Sequence, residues 1–170
     1  MDQLEVYEKK VNKYLNEMKF NSLPLMSWDV HMMNFTSITQ LQKDILDLKK
    51  ITDKLKMDVN PVTELTKNDA VIVITNANLV IEYASSNMIM MSGYMPEEVI
   101  GNSPKMFQGE KTDPTLAKKI RNYVNNEEFF EATLLNYKKD RSEYNCHIKG
   151  YPVFDKEGTL VKYVAIEHAA

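Results

Sequence analysis

Helical spacing governs the first third of the chain. Leu4, Tyr7, Val11, Tyr14 and Met18 step by three and four among charged and amide residues, which predicts an amphipathic helix over residues 2–19. Pro24 should stop or bend it near residues 19–21. The next stretch, NSLPLMSWDVHMMNF, reads as a linker that is unusually apolar for a connection. It packs on the same chain or lies in a partner interface, because such a patch is a liability in water. The helical period returns with Ile38, Leu41, Ile45, Leu48, Thr52, Leu55 and Val59, a heptad seam that predicts a second helix over residues 37–57, closed by Pro61. So narrow a stripe gains little until it is covered. The matching helix of a second subunit is the expected cover, with the first helix of the same chain as the alternative.

Beyond residue 65 the period shortens to two. AVIVIT, residues 70–75, is a β-branched run with the character of a central strand, and residues 79–84 return beside it. Ser85 or Ser86 is placed to cap a methionine-rich helix over residues 87–92, which Gly93 ends in the left-handed conformation. PEEVI starts a further short helix, and Asp113 with Pro114 caps a longer one whose Leu116, Ile120 and Val124 face inward. Three long strands follow. Alternation puts Phe130, Ala132, Leu134 and Asn136 on one face of the first, Tyr144, Cys146, Ile148 and Gly150 on the same face of the second, and Tyr163, Ala165 and Glu167 on that of the third. The opposite face carries Leu135, Tyr137, Tyr151, Val164 and Ile166, too apolar to stay wet, and the helices before Pro61 are its expected cover.

The order GY…EEVIG, FQG..TDP, LLNYKKD, PVFDKEG and YVAIE over residues 68–168 resembles the PAS sensor fold, and within it the flavin-binding light-oxygen-voltage branch. The resemblance implies an α+β fold, a five-stranded antiparallel sheet with short helices on one face, preceded by a coiled-coil-like helical extension. Residues 1–65 would form the extension and residues 66–170 the PAS domain. That branch reads Asn-Cys-Arg-Phe-Leu-Gln around its photoactive cysteine; here the positions are Ser103, Pro104, Lys105, Met106, Phe107 and Gln108, without a thiol. Carried over position by position, the flavin-contacting set falls on Ser103, Lys105, Gln108, Arg121, Asn136, Cys146 and Glu167. Gln108, Arg121 and Asn136 keep the photoreceptor residue type. At the other four, Ser replaces Asn, Lys replaces Arg, Cys replaces Asn and Glu replaces Gln. A thiol is a weak partner for a flavin edge, and a carboxylate does not donate. Lys105 offers a point charge where arginine offers a planar fork. An inward Glu167 is expected to be protonated or paired, with Arg121 or Lys105 as candidates, unless the strand end is wet and simply solvates it.

Charge and cysteine usage narrow the rest. Residues 1–65 hold 9 Lys and Arg against 10 Asp and Glu, and residues 66–170 hold 12 against 14, so neither half presents a case for nucleic acid or an anionic membrane. The single cysteine rules out an internal disulfide and fits a reducing cytoplasm, and no apolar run approaches membrane-spanning length. His31, His147 and His168 do not share a metal-ligand spacing, the helix after Asp113 offers no histidine to a haem, and no phosphate loop or catalytic constellation is present. The expected role is a non-catalytic PAS sensory or regulatory module, homodimeric through its N-terminal helices, that relays a small-ligand or protein-partner signal. Two alternatives stand beside it: a protein that binds flavin mononucleotide (FMN) without adduct chemistry, and a structural dimer module whose pocket is filled by its own side chains. The chain ends soon after the last strand, which fits either a stand-alone adaptor or the input piece of a longer signalling protein.

Overall fold

The computed structural model describes residues 27–53, 55, 57–68 and 70–170, with side chains from residue 38 onward. The helix expected over residues 2–19 lies outside the described residues. The elements are α1 (Ser27–Thr52), α2 (Pro61–Asn68), β1 (Val71–Asn76), β2 (Ile81–Ala84), α3 (Met88–Ser92), α4 (Pro96–Val99), a 3-10 turn (Pro104–Phe107), α5 (Pro114–Asn125), β3 (Phe130–Tyr137), β4 (Glu143–Phe154) and β5 (Leu160–Ala169). All strand pairs are antiparallel, in the order β2-β1-β5-β4-β3. The expected sheet, with its short helices, is therefore the observed one.

Three local expectations are corrected. The second helix begins at Ser27, inside the stretch read as a linker, and no proline or glycine interrupts it before Thr52. Pro61 opens a helix instead of closing one. Asn60 Oδ1 accepts from the backbone N–H of Val62 (3.1 Å) and Thr63 (3.2 Å), so Asn60 caps and Pro61 occupies the first position, where its missing N–H costs nothing. Neither Ser85 nor Ser86 caps α3; Asn87 holds the cap position with no side-chain cap bond. Ser85 Oγ instead accepts from the Ile72 N–H (2.8 Å) and donates to Asn87 Oδ1 (2.6 Å). Gly93 does end α3 with φ of 75°, and its N–H donates to Ile89 O.

The sheet separates two apolar clusters. On the outer face Ile72, Ile74, Tyr83, Val153, Val164 and Ile166 pack with Leu48 of α1 and Val62 and Leu65 of α2. Leu41, Ile45, Leu55 and Val59 from the heptad seam add to it. From Leu41 onward the apolar residues of the seam are thus spent on their own sheet within the compact unit that runs from Gln40 to Ala170. Burying leucine-sized side chains stabilises by about 2 kcal/mol each, which is what holds so narrow a stripe as a helix.

One polar contact fixes that cover in register. Asp44 of α1 is buried, yet its carboxylate is well supplied with donors: Tyr83 Oη at 3.1 Å to Oδ1, and the Ser86 N–H at 2.9 Å and Ser86 Oγ at 2.5 Å to Oδ2. The charged oxygens and the nearby burial together push the Tyr83 phenol well above its ordinary value, burial being the larger cause.

Candidate functional site

On the inner face Val71, Val73, Ile81, Ala84, Met88, Met91, Val99, Phe107 and Cys146 form the second cluster. It fills only part of the concave surface. Between it, the 3-10 turn and α5 lies a cavity of about 120 Å³. Asp113 Oδ1 accepts from the Thr115 N–H at 2.8 Å and so starts α5, and Tyr163 Oη donates to Val124 O at 3.1 Å, holding the end of that helix over β5. Gly150 makes room for the wall opposite. A Cβ there would come within 2.2 Å of the Phe130 ring, so only glycine lets that ring lie across the strand pair.

Six of the seven residues marked from sequence line this cavity: Ser103, Lys105, Gln108, Arg121, Asn136 and Glu167. Pro104, at the position of the photoreceptor cysteine, lines it too. Ser103, Lys105 and Arg121 are exposed, Gln108 is half-buried, and Asn136 and Glu167 are buried. Cys146 is not among the lining residues. It is fully buried in the cluster beneath, and its Sγ–H donates to Glu167 Oε2 at 3.6 Å. Two further polar residues of the lining, Thr75 and Tyr163, are not among the seven. The period of two along β1, which sets Thr75 on the same face as Val71 and Val73, is the sequence signal that identifies it.

Polar satisfaction divides the cavity from the rest of the interior. Thr75 Oγ1 and Asn136 Oδ1 are buried without a hydrogen-bond partner among the described residues, although buried polar atoms are overwhelmingly paired. The Asn136 side chain does bond the Tyr144 hydroxyl, whose phenol is pushed up chiefly by burial. Glu167 is only 7 % exposed, and no Lys, Arg or His forms an ion pair with it among the described residues. Of the three readings open from sequence, solvation at a wet strand end and pairing with Arg121 or Lys105 are therefore overturned, and the protonated carboxyl is the one that agrees with its burial. Burial lifts its carboxyl to about 7, and the thiol hydrogen bond pulls weakly the other way. The same burial, and then the neighbouring carboxyl, push the Cys146 thiol far up. That thiol stays protonated and is a poor nucleophile.

The arrangement suits a planar ligand. Apolar walls from Val73, Phe107, Leu134, Ile148 and Ala165 can sandwich a ring, buried amide and hydroxyl oxygens wait at its edge, and two cations stand at the exposed mouth.

A family model described as a PAS domain matches residues 68–168. The chain is 34 % identical over 93 residues to Phototropin-1A of Oryza sativa subsp. japonica, covering 55 % of this chain and 10 % of that protein. It is 27 % identical over 122 residues to Blue-light-activated histidine kinase 1 of Erythrobacter litoralis (strain HTCC2594), covering 68 % and 34 %. Among solved structures, the dark structure of the blue-light photoreceptor Aureochrome1 LOV superposes with a TM-score of 0.61 at 29 % identity, over 66 % of this chain and 84 % of that one. The chain spans at most about a third of the length of the two curated relatives, 10 % and 34 %.

Proposed function

The chain belongs to the PAS domain family, and on that premise we propose that this sensory module of signal transduction senses through a flavin held non-covalently in its inner cavity. The observation that carries the reading is Asn136 Oδ1, buried on the cavity wall with no donor to satisfy it. The pyrimidine edge of FMN brings an N–H of the kind this oxygen lacks. The Asn136 oxygen would accept that N–H, Gln108 would supply an amide, and Ser103 a hydroxyl. At the exposed mouth Arg121 and Lys105 offer their cations to the phosphate. Glu167 closes the buried end, and Cys146 acts on the site only through Glu167. When bound, the flavin supplies blue-light absorption and redox chemistry that side chains lack.

No nucleophile stands ready for a covalent adduct: Pro104 has no reactive atom, and Cys146 lies outside the cavity lining with its proton held by burial. The module's part is sensing, not catalysis. The signal passes outward through β1 and β2 to α1, whose Leu48 and Asp44 grip the back of the sheet. Pairing with a second copy through α1 belongs to the same proposal and is supported by Leu46, an apolar helix residue left 58 % exposed. Freshly purified protein is expected to show flavin absorbance in the visible range that blue light does not convert to a thiol adduct. A colourless preparation that takes up no FMN on titration overturns the reading.

A further inference from the structure

The buried end of the cavity holds a carboxyl whose surroundings decide how it meets a ligand. Glu167 projects from β5 between Val71 of β1 and Ile148 of β4, its register partners, so both flanks are hydrocarbon. The titratable and charged groups that line the cavity with Glu167 or interact with it directly are Cys146 and Tyr144 of β4, Tyr163 of its own strand, Lys105 of the 3-10 turn and Arg121 of α5. Cys146 gives Glu167 its hydrogen bond. Tyr144 and Tyr163 are phenols held neutral by burial, Tyr163 at about 12. Lys105 and Arg121 sit at the exposed mouth and make no ion pair with Glu167. A carboxylate in this setting has one weak donor, whereas a carboxylic acid needs nothing more and has an O–H to give.

We propose that Glu167 is the proton-controlled hydrogen-bond donor of the cavity, giving its O–H to an acceptor on the ligand and so making ligand capture depend on proton activity. The inference rests on the sensory-cavity reading above and sharpens its ligand class. Thiol and carboxyl form one chain: Cys146 Sγ–H donates to Oε2, which leaves the acid proton of Glu167 free to point into the cavity. Asn136 Oδ1, unpartnered on the same cavity, asks for the opposite, a ligand N–H. A heterocycle carrying both an N–H and a carbonyl or ring nitrogen, as in an imide or lactam, answers both. Ionised Glu167 turns the donor into a second acceptor and sets a negative charge against the ligand's own lone pairs. Glutamine in its place keeps a donor at every pH.

The test uses two independent readouts on the wild-type chain and Glu167→Gln. Cys146 is the only cysteine, so the infrared S–H stretch reports one bond. In ligand-free wild-type protein this band is expected to move to lower frequency as Glu167 ionises between about pH 5 and about pH 9, and to stay fixed in Glu167→Gln. Riboflavin, which lacks the phosphate and its own titration near neutrality, is then titrated by fluorescence quenching over the same range. Wild-type affinity should fall by about tenfold for each pH unit above the midpoint, while Glu167→Gln stays level. Riboflavin binding that is independent of pH, or a wild-type band that does not move, overturns this inference and leaves the flavin reading standing. Absence of binding by either protein at any pH overturns the flavin reading, and the inference is then decided by the thiol band alone.

Discussion

Two buried carboxyls on opposite faces of one sheet behave in opposite ways. Asp44, on the outer face, is 5 % exposed and accepts from Tyr83 Oη, the Ser86 N–H and Ser86 Oγ. Glu167, on the inner face, is 7 % exposed and, among the described residues, accepts only from a thiol at 3.6 Å. Equal burial is thus met by three oxygen and nitrogen donors in one place and by a single thiol in the other, where burial raises the carboxyl to about 7. What differs is the supply of hydrogen-bond donors, the factor that offsets the loss of water around a charge. The contrast extends to the surroundings: the outer cluster is closed by helices α1 and α2, while the inner one stops short and leaves Thr75 and Asn136 with unpartnered oxygens. A closed face with paired polar groups is a scaffold, and an open one with unpaired groups is a site.

The largest effect is expected at the scaffold. Asp44→Ala removes the common acceptor of Tyr83 and Ser86 and should lower stability by roughly 3 kcal/mol in urea unfolding. Hydrogen exchange should quicken in the second half of α1. Riboflavin affinity per folded molecule should hardly change, and a large loss would show that the two faces are not separable in this way.

Glu167→Gln should act in the other direction. The folded carboxyl keeps its proton up to about 7, against 4.5 in the unfolded chain. Its favourable contribution is therefore fully present below about 4.5 and is lost as pH rises through about 7. The glutamine variant should match wild type near pH 4 and exceed it by about 3 kcal/mol near pH 8, by urea unfolding at each pH. Equal stability at both ends would mean that Glu167 has found a donor or water and resembles Asp44 after all.

The smallest change sharpens the comparison. Tyr83→Phe takes away one of the donors to Asp44 and should cost about 1 kcal/mol, because the Ser86 donors remain. A loss as large as that of Asp44→Ala would place the whole clamp in the tyrosine.

How much of this could be read from the sequence depended on range. Strand alternation is a local rule, so it placed Leu134 and Asn136 of β3, and Ala165 and Glu167 of β5, on the cavity side before any coordinates. Asn60–Pro61 was equally local and was still misread, because a proline was taken as a stop where an Asn cap made it a start. The Asp44 clamp had no local signature. Its partners lie about forty residues away, and nothing in the heptad pattern sets Asp44, next to the seam residue Ile45, apart from the other acids of the helix. Cys146 shares the inner face with the cavity residues, but parity does not say which inward side chains reach the void and which lie beneath it. Glu167 was visible as an anomaly, while its missing cation appeared only once Lys105 and Arg121 were seen at the exposed mouth.

Native mass spectrometry of the freshly purified chain, wild type beside Asn136→Ala, tests the account most directly. Each wild-type chain is expected to carry the added mass of one FMN that leaves on gentle activation, and Asn136→Ala should carry it at clearly lower occupancy. Wild-type chains found only at their bare mass, and still bare after incubation with FMN, would contradict the account.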